Sequence, residues 1–161
     1  MATSIVARQD LFVPMHERAF QRAIQLLADF PGEYFSVPLG RVTSARDLAI
    51  ALIRRERLMR DASGGLEHAV AMPLPATREQ ILLAYEDAHH KCRESLARLS
   101  DADWNAELQA PQQPDVLDPV RRGDLLWVSL EVMLNEVERL AQYRDTATRL
   151  AHRMHSSEKT A

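Results

Sequence analysis

An all-α four-helix bundle is the fold this chain predicts, and three observations predict it. Apolar residues recur at alternating steps of three and four in four separate stretches, which lines one side of a helix of 3.6 residues per turn. Three of the proposed helix starts carry Ser or Thr followed three residues later by an acidic or amide side chain, the pattern of a helix N-cap. Only 5 glycines in 161 residues, with few β-branched runs, leave little to favour sheet. A chain of this length holds one domain with a proper core, so residues 1–161 are read as a single domain.

The first helix is placed from about Pro14 to Phe30, with an earlier beginning left open, because proline suits a first turn where its missing N–H has no partner to lose. Phe20, Ala23, Ile24, Leu27 and Phe30 draw its stripe, and Pro31-Gly32 stops it. Gly32 to Val42 reads as a loop that lays Tyr34, Phe35 and Val37 over a core edge. The second helix runs from about Ser44 to Asp61, with Ser44 and Asp47 at its start and Leu48, Ala51, Leu52, Leu58 and Met59 on one face. Arg55 falls at the margin of that face, where its stem can pack and its head reach water. Ser63-Gly64-Gly65 ends the helix, and Pro73 and Pro75 mark a connection.

Thr77 and Gln80 form a capping box for the third helix, about Arg78 to Leu99, with Ile81, Tyr85, Ala88, Cys92, Leu96 and Leu99 on one stripe. Ser100 and Asp103 cap a short turn carrying Trp104, and Gln109 to Pro119 is a proline-rich connection. The last helix covers Leu125 to Leu150, starting either at Asp118-Pro119 or at Gly123-Asp124. Leu126, Leu130, Met133, Val137 and Leu140 form one row on it, and Val128, Val132, Asn135, Arg139 and Gln142 an adjoining one, so it is expected to pack on two sides. From about residue 152 a frayed polar tail is expected.

A formal net charge of -3 gives no basic footprint for nucleic acid, which disfavours that partner. Cys92 is the only cysteine, which excludes an intramolecular disulfide and a cysteine-rich zinc site. The first twenty residues lack a basic segment followed by an apolar one, and no run of 18 apolar residues occurs. The expectation is a soluble, cytoplasmic protein with no membrane partner.

Six histidines raise the question of a metal, yet no pair has the i, i+4 spacing that places two imidazoles on one helical face. His89 lies beside the third stripe and reads as a buried histidine with a partner, a ligand role being the alternative. His16 and His68 stand alone, and His152 and His155 read as a solvated pair. Cys92 reads as a small core hydrophobe, and a nucleophilic role would need His89 to activate it. Phosphate loops, G-x-S-x-G and H-E-x-x-H are absent. Glu131, Asn135 and Glu138 can share a face and with Glu56 suggest a carboxylate site, but Glu-x-x-His is missing, which favours ion pairing.

Three long strings, LLADFPGEYFSVPLGRVTSARDLAIALIRRERLMRD, REQILLAYEDAHHKCRESLARLSDADWNAEL and LLWVSLEVMLNEVERLAQYR, resemble the DinB/YfiT-like superfamily of four-helix putative metalloenzymes. The resemblance covers most of the chain and implies an up-down-down-up bundle. It places the three metal-binding histidines of that family at Ala51, Asn135 and Arg139, none of which is a histidine here. On that basis the metal site is expected to be lost, with no cofactor and no catalysis. Ala51, Arg55, Glu56, Asn135, Glu138 and Arg139 would then line a pocket in which Arg139 stands in for the metal, held by Asn135, Glu56 or Glu138. That pocket would hold either a plain ion pair or a small anion. The resemblance also implies an alternative, a zinc- or nickel-dependent thiol transferase or isomerase using other ligands such as His89. A homodimer is a further expectation, since a helix apolar on two sides suits a helical interface.

Overall fold

The structure is a computed structural model that describes residues 3–40, 42–64, 75, 77–108 and 120–158. Four long helices form the expected all-α bundle: α1 (Thr3–Ala28), α2 (Ala45–Ala62), α3 (Arg78–Ala97) and, after the short α4 (Asp101–Asn105), α5 (Arg122–Glu158). A 3-10 turn, Gly32–Tyr34, follows α1. A two-residue antiparallel pair, β1 (Glu107–Leu108) with β2 (Val120–Arg121), leads into α5. The proline-rich connection expected over Gln109 to Pro119, the Gly65 and Pro73 region and His68 lie outside the described residues.

Helix α1 packs against α3 and α5, and α2 against the same two, so α1 and α2 face each other across a diagonal of the bundle. This diagonal matters for the site, because a side chain on α1 and one on α2 can meet at the centre of the core. The stripes meet there as expected: Phe12, Leu27, Leu52, Met59, Ile81, Tyr85, Leu126, Leu130, Met133 and Leu140 are fully buried. Burying each such side chain contributes roughly 1.5–3 kcal/mol, the term that drives assembly of helices whose isolated stability is marginal.

The N-caps form as their sequences ask. Ser44, Thr77 and Ser100 accept from the backbone N–H three residues on, while Asp47, Gln80 and Asp103 accept in return from the cap N–H. Arg122 joins three elements, donating from Nε to the Ala62 carbonyl at 2.8 Å and from Nη1 to the Asp103 carbonyl at 2.7 Å. Arg78 ties the end of α1 to the start of α3 by donating to the Phe30 carbonyl at 2.7 Å.

Several expectations are corrected. Pro14 does not start α1 but lies inside it. An interior proline costs about 3 kcal/mol, and Phe12, two residues earlier, packs edge-on against Trp104 and Trp127, a tertiary contact that favours keeping this segment helical. Leu58 is exposed rather than on the α2 core face, which is carried by Leu48, Leu52, Ile53, Glu56 and Met59. On α5 only the first row enters the core; Val128, Asn135, Arg139 and Gln142 of the adjoining row are exposed. Past residue 152, α5 continues as helix with exposed side chains through residue 157.

Candidate metal centre

Among the described residues, two histidines and one glutamate interrupt the buried stripes, each on a different helix. His16 on α1 follows Phe12 by four residues and precedes Ala19 and Phe20; Glu56 on α2 sits between Ile53 and Met59; His89 on α3 sits between Tyr85 and Cys92. Helical spacing therefore points all three inward, and their exposures are 0% for His16, 0% for Glu56 and 4% for His89. The α1/α2 diagonal brings them together. His16 Nε2 lies 2.8 Å from Glu56 Oε2, and His89 Nδ1 lies 2.9 Å from Glu56 Oε1. One ligand atom from each falls within 4.8 Å of the others.

The walls of this site are aromatic. The His89 ring is stacked on Phe20 with centroids 3.7 Å apart and planes 2° from parallel, and the His16 ring is stacked on Phe12 at 5.9 Å. A buried carboxylate in such surroundings is costly unless paired. Burial pushes the Glu56 carboxyl up, but the hydrogen bonds and positive potential of His16 and His89 outweigh it and bring it down to about 2. Glu56 is therefore an anion held in the core by two imidazoles.

Glu17, on the next position of α1 after His16, forms the outer edge. Its Oε2 lies 3.1 Å from His89 Nε2 and 3.2 Å from Arg93 Nη1, and its Oε1 accepts from the Gln21 amide at 3.0 Å. The Gln21 bond holds the Glu17 carboxyl below the usual carboxylate range against the cost of burial, with His89 and Arg93 adding to it. His89 thus has a carboxylate at each ring nitrogen, whereas His16 Nδ1 is buried with no partner among the described residues.

Two more buried groups adjoin. The Tyr85 hydroxyl has no partner among the described residues, and burial followed by the Glu56 charge pushes it well above its ordinary value. The Cys92 thiol is 0% exposed, and burial followed by the same charge pushes it up strongly. Cys92 is accordingly a core thiol, as its position on the stripe suggests, and a poor nucleophile.

Two imidazoles and a carboxylate are a donor set suited to zinc, nickel or ferrous iron, and three protein ligands leave positions for an exogenous one. The side chains present fit such an ion: the donors converge, the carboxylate is held in its anionic form, and aromatic rings flank both imidazoles. This overturns the expectation of a lost metal site. The donors are His16, Glu56 and His89, not Ala51, Asn135 and Arg139.

The pocket expected around Arg139 does not assemble either. Asn135 lies two residues from Met133 and Val137, and Arg139 two from Val137 and one from Leu140, which turns both away from the core row, and both are exposed. Arg139 donates to Thr43 Oγ1 at 3.1 Å, Glu138 pairs with Arg22 at 3.1 Å on the surface, and Glu56 is taken by the histidines. Ala51 is half-buried. Arg55 is half-buried too; its Nε is buried without a hydrogen-bond partner, and its charge acts to lower the pKa of Glu136, which burial raises.

No protein-family model matches the chain, and no curated protein matches it. The DinB/YfiT-like assignment with a replaced triad is corrected: the bundle stands, and the polar centre within it is built from His16 on α1, Glu56 on α2 and His89 on α3. Among the described residues no helix is long and apolar enough to cross a membrane.

Proposed function

We propose that this chain binds one divalent transition-metal ion, of the zinc or nickel class, through His16, Glu56 and His89, and uses it on a small substrate. The observation that carries the reading is the convergence of three buried donors from three helices within 4.8 Å. A metal so held supplies Lewis acidity and a site for an exchangeable ligand. The chain's own part is to supply two imidazoles and one anionic carboxylate, to exclude bulk water with Phe12 and Phe20, and to hold the donors in register through packed helices.

The reaction class best supported is metal-dependent transfer or isomerisation on a low-molecular-weight thiol. An open position on zinc or nickel takes a thiolate readily, and Cys92 is too deeply buried to provide one, so a thiol at the metal would come from the substrate. A cytoplasmic setting, where such thiols are kept reduced, suits a chain with a lone buried cysteine.

Elemental analysis of the purified protein tests the metal reading. About one equivalent of zinc or nickel is expected in the wild type, and its loss in His16→Ala and His89→Ala. Equal metal content in wild type and both variants would sink it. A thermal-shift screen of the loaded protein with mycothiol-, bacillithiol- and glutathione-type thiols then tests the substrate class, and stabilisation by none of them would remove that part.

A further inference from the structure

Glu17 and the imidazole of His89 carry one inference further, and it rests on the metal reading above. We propose that Glu17 is a positioning residue for that centre: it accepts the Nε2–H of His89 and so holds the ring with Nδ1 turned toward Glu56, where a metal would bind.

The geometry supports this at every degree of freedom of the ring. His89 Nε2 and Nδ1 are on opposite sides of the imidazole, 3.1 Å from Glu17 Oε2 and 2.9 Å from Glu56 Oε1. The ring plane is set by the parallel Phe20 face at 3.7 Å. The carboxylate is itself held, by Arg93 at 3.2 Å on the same oxygen and by Gln21 at 3.0 Å on the other. A metal-bound imidazole that donates its far N–H to a carboxylate is oriented and made a stronger ligand. Because Glu17 contacts the nitrogen remote from Glu56, it acts through His89 and does not itself touch the metal position.

His16 lacks this arrangement, since its Nδ1 has no partner among the described residues. The two histidines are therefore unequal: His89 is the oriented ligand and His16 the weaker one. Glu17 side-chain exposure is 33%, against 0% for Glu56, so the positioning carboxylate also lies nearest to solvent. A partly exposed carboxylate contributes less to folding than the fully buried Glu56, and the metal-free melting temperature separates its effect on the metal from any effect on the fold.

Chelator-competition titration of Zn(II) with wild type, Glu17→Ala, Glu17→Gln and Arg93→Ala tests the assignment, with metal-free melting temperatures measured alongside. Glu17→Ala is expected to weaken Zn(II) about 10- to 100-fold, as loss of an outer carboxylate does, with stoichiometry unchanged and the metal-free melting temperature nearly so. Glu17→Gln keeps an oxygen that can accept from Nε2–H and should recover part of the affinity, and Arg93→Ala should lose less than Glu17→Ala. A Zn(II) affinity for Glu17→Ala within twofold of wild type overturns the inference alone. If wild type itself takes up no Zn(II), Ni(II) or Fe(II), the metal reading falls and this inference falls with it. A merely structural role would show the opposite pattern, a lowered metal-free melting temperature with affinity retained, and would equally overturn it.

Discussion

Replacing Glu56 by alanine removes the carboxylate that joins three helices, and its effect can be worked out from two directions. The side chain is fully buried and pairs with His16 at 2.8 Å and His89 at 2.9 Å. Removing one member of a buried pair typically costs about 3–5 kcal/mol, because the remaining groups keep their desolvation and lose their partner. The Glu56 carboxyl, which the two imidazoles hold down to about 2 against the cost of burial, points the same way. For a chain of this size each kcal/mol moves the melting temperature about 2–4 °C, so metal-free Glu56→Ala should melt roughly 6–20 °C below wild type. Glu56→Gln, which keeps the shape and one acceptor oxygen, should lose about 1–3 kcal/mol. The pH sign follows from a depressed carboxyl. The stabilisation is complete above the unfolded value near 4.5 and is lost as pH falls through the window from there to about 2. Within that window wild type should lose stability faster than Glu56→Gln. A metal at a hundred times its dissociation constant adds about 2.7 kcal/mol to the wild type, a rise of about 5–11 °C that both variants should lack. Differential scanning calorimetry from pH 2 to 7, with and without Zn(II), reads all of these. Equal melting temperatures for wild type and Glu56→Ala, or an undiminished Zn(II) shift in Glu56→Ala, would refute the reasoning.

Two further outcomes are expected. Ser44→Ala removes the side-chain acceptor for the Asp47 N–H at the start of α2 and should cost about 1 kcal/mol in urea denaturation, with zinc affinity unchanged; a loss under about 0.3 kcal/mol would argue against the cap. Cys92, fully buried with its thiol pushed up, should resist a thiol-specific aromatic disulfide reagent in the native protein at neutral pH and react fully in denaturant. Rapid native labelling would contradict its burial.

The core row of α5, Leu126 to Leu140, and the caps Ser44, Thr77 and Ser100 could all be read directly, because periodicity and capping are local and these residues obey both. Pro14 misled because a strong local rule was overridden by tertiary packing of Phe12. The β1/β2 pair joins residues on either side of a long connection, and two residues carry no alternation to detect. The site was half visible: Glu56 and His89 stood out singly, while His16 was set aside as solitary. Its partners are separated by 40 residues, from Glu56 to His16, and 33, from Glu56 to His89. A search for paired ligands on one helix cannot find a centre built from one side chain on each of three. The available signal was simpler. His16, Glu56 and His89 each occupy a place in an apolar stripe with a core residue three or four positions away on either side, and several such polar interruptions in one bundle are best served by meeting one another.

The diagonal placement of α1 and α2 gives that meeting a role in the choice of fold. Apolar stripes are forgiving: a helix that slides by one turn, about 5.4 Å, presents another leucine to much the same groove. The ionised Glu56 is not forgiving, since the same slide would strand its charge among Leu52, Ile53 and Met59 without either imidazole. The triad therefore acts as an alignment key, letting three helices close in one register and penalising the near-copies that hydrophobic packing alone would accept.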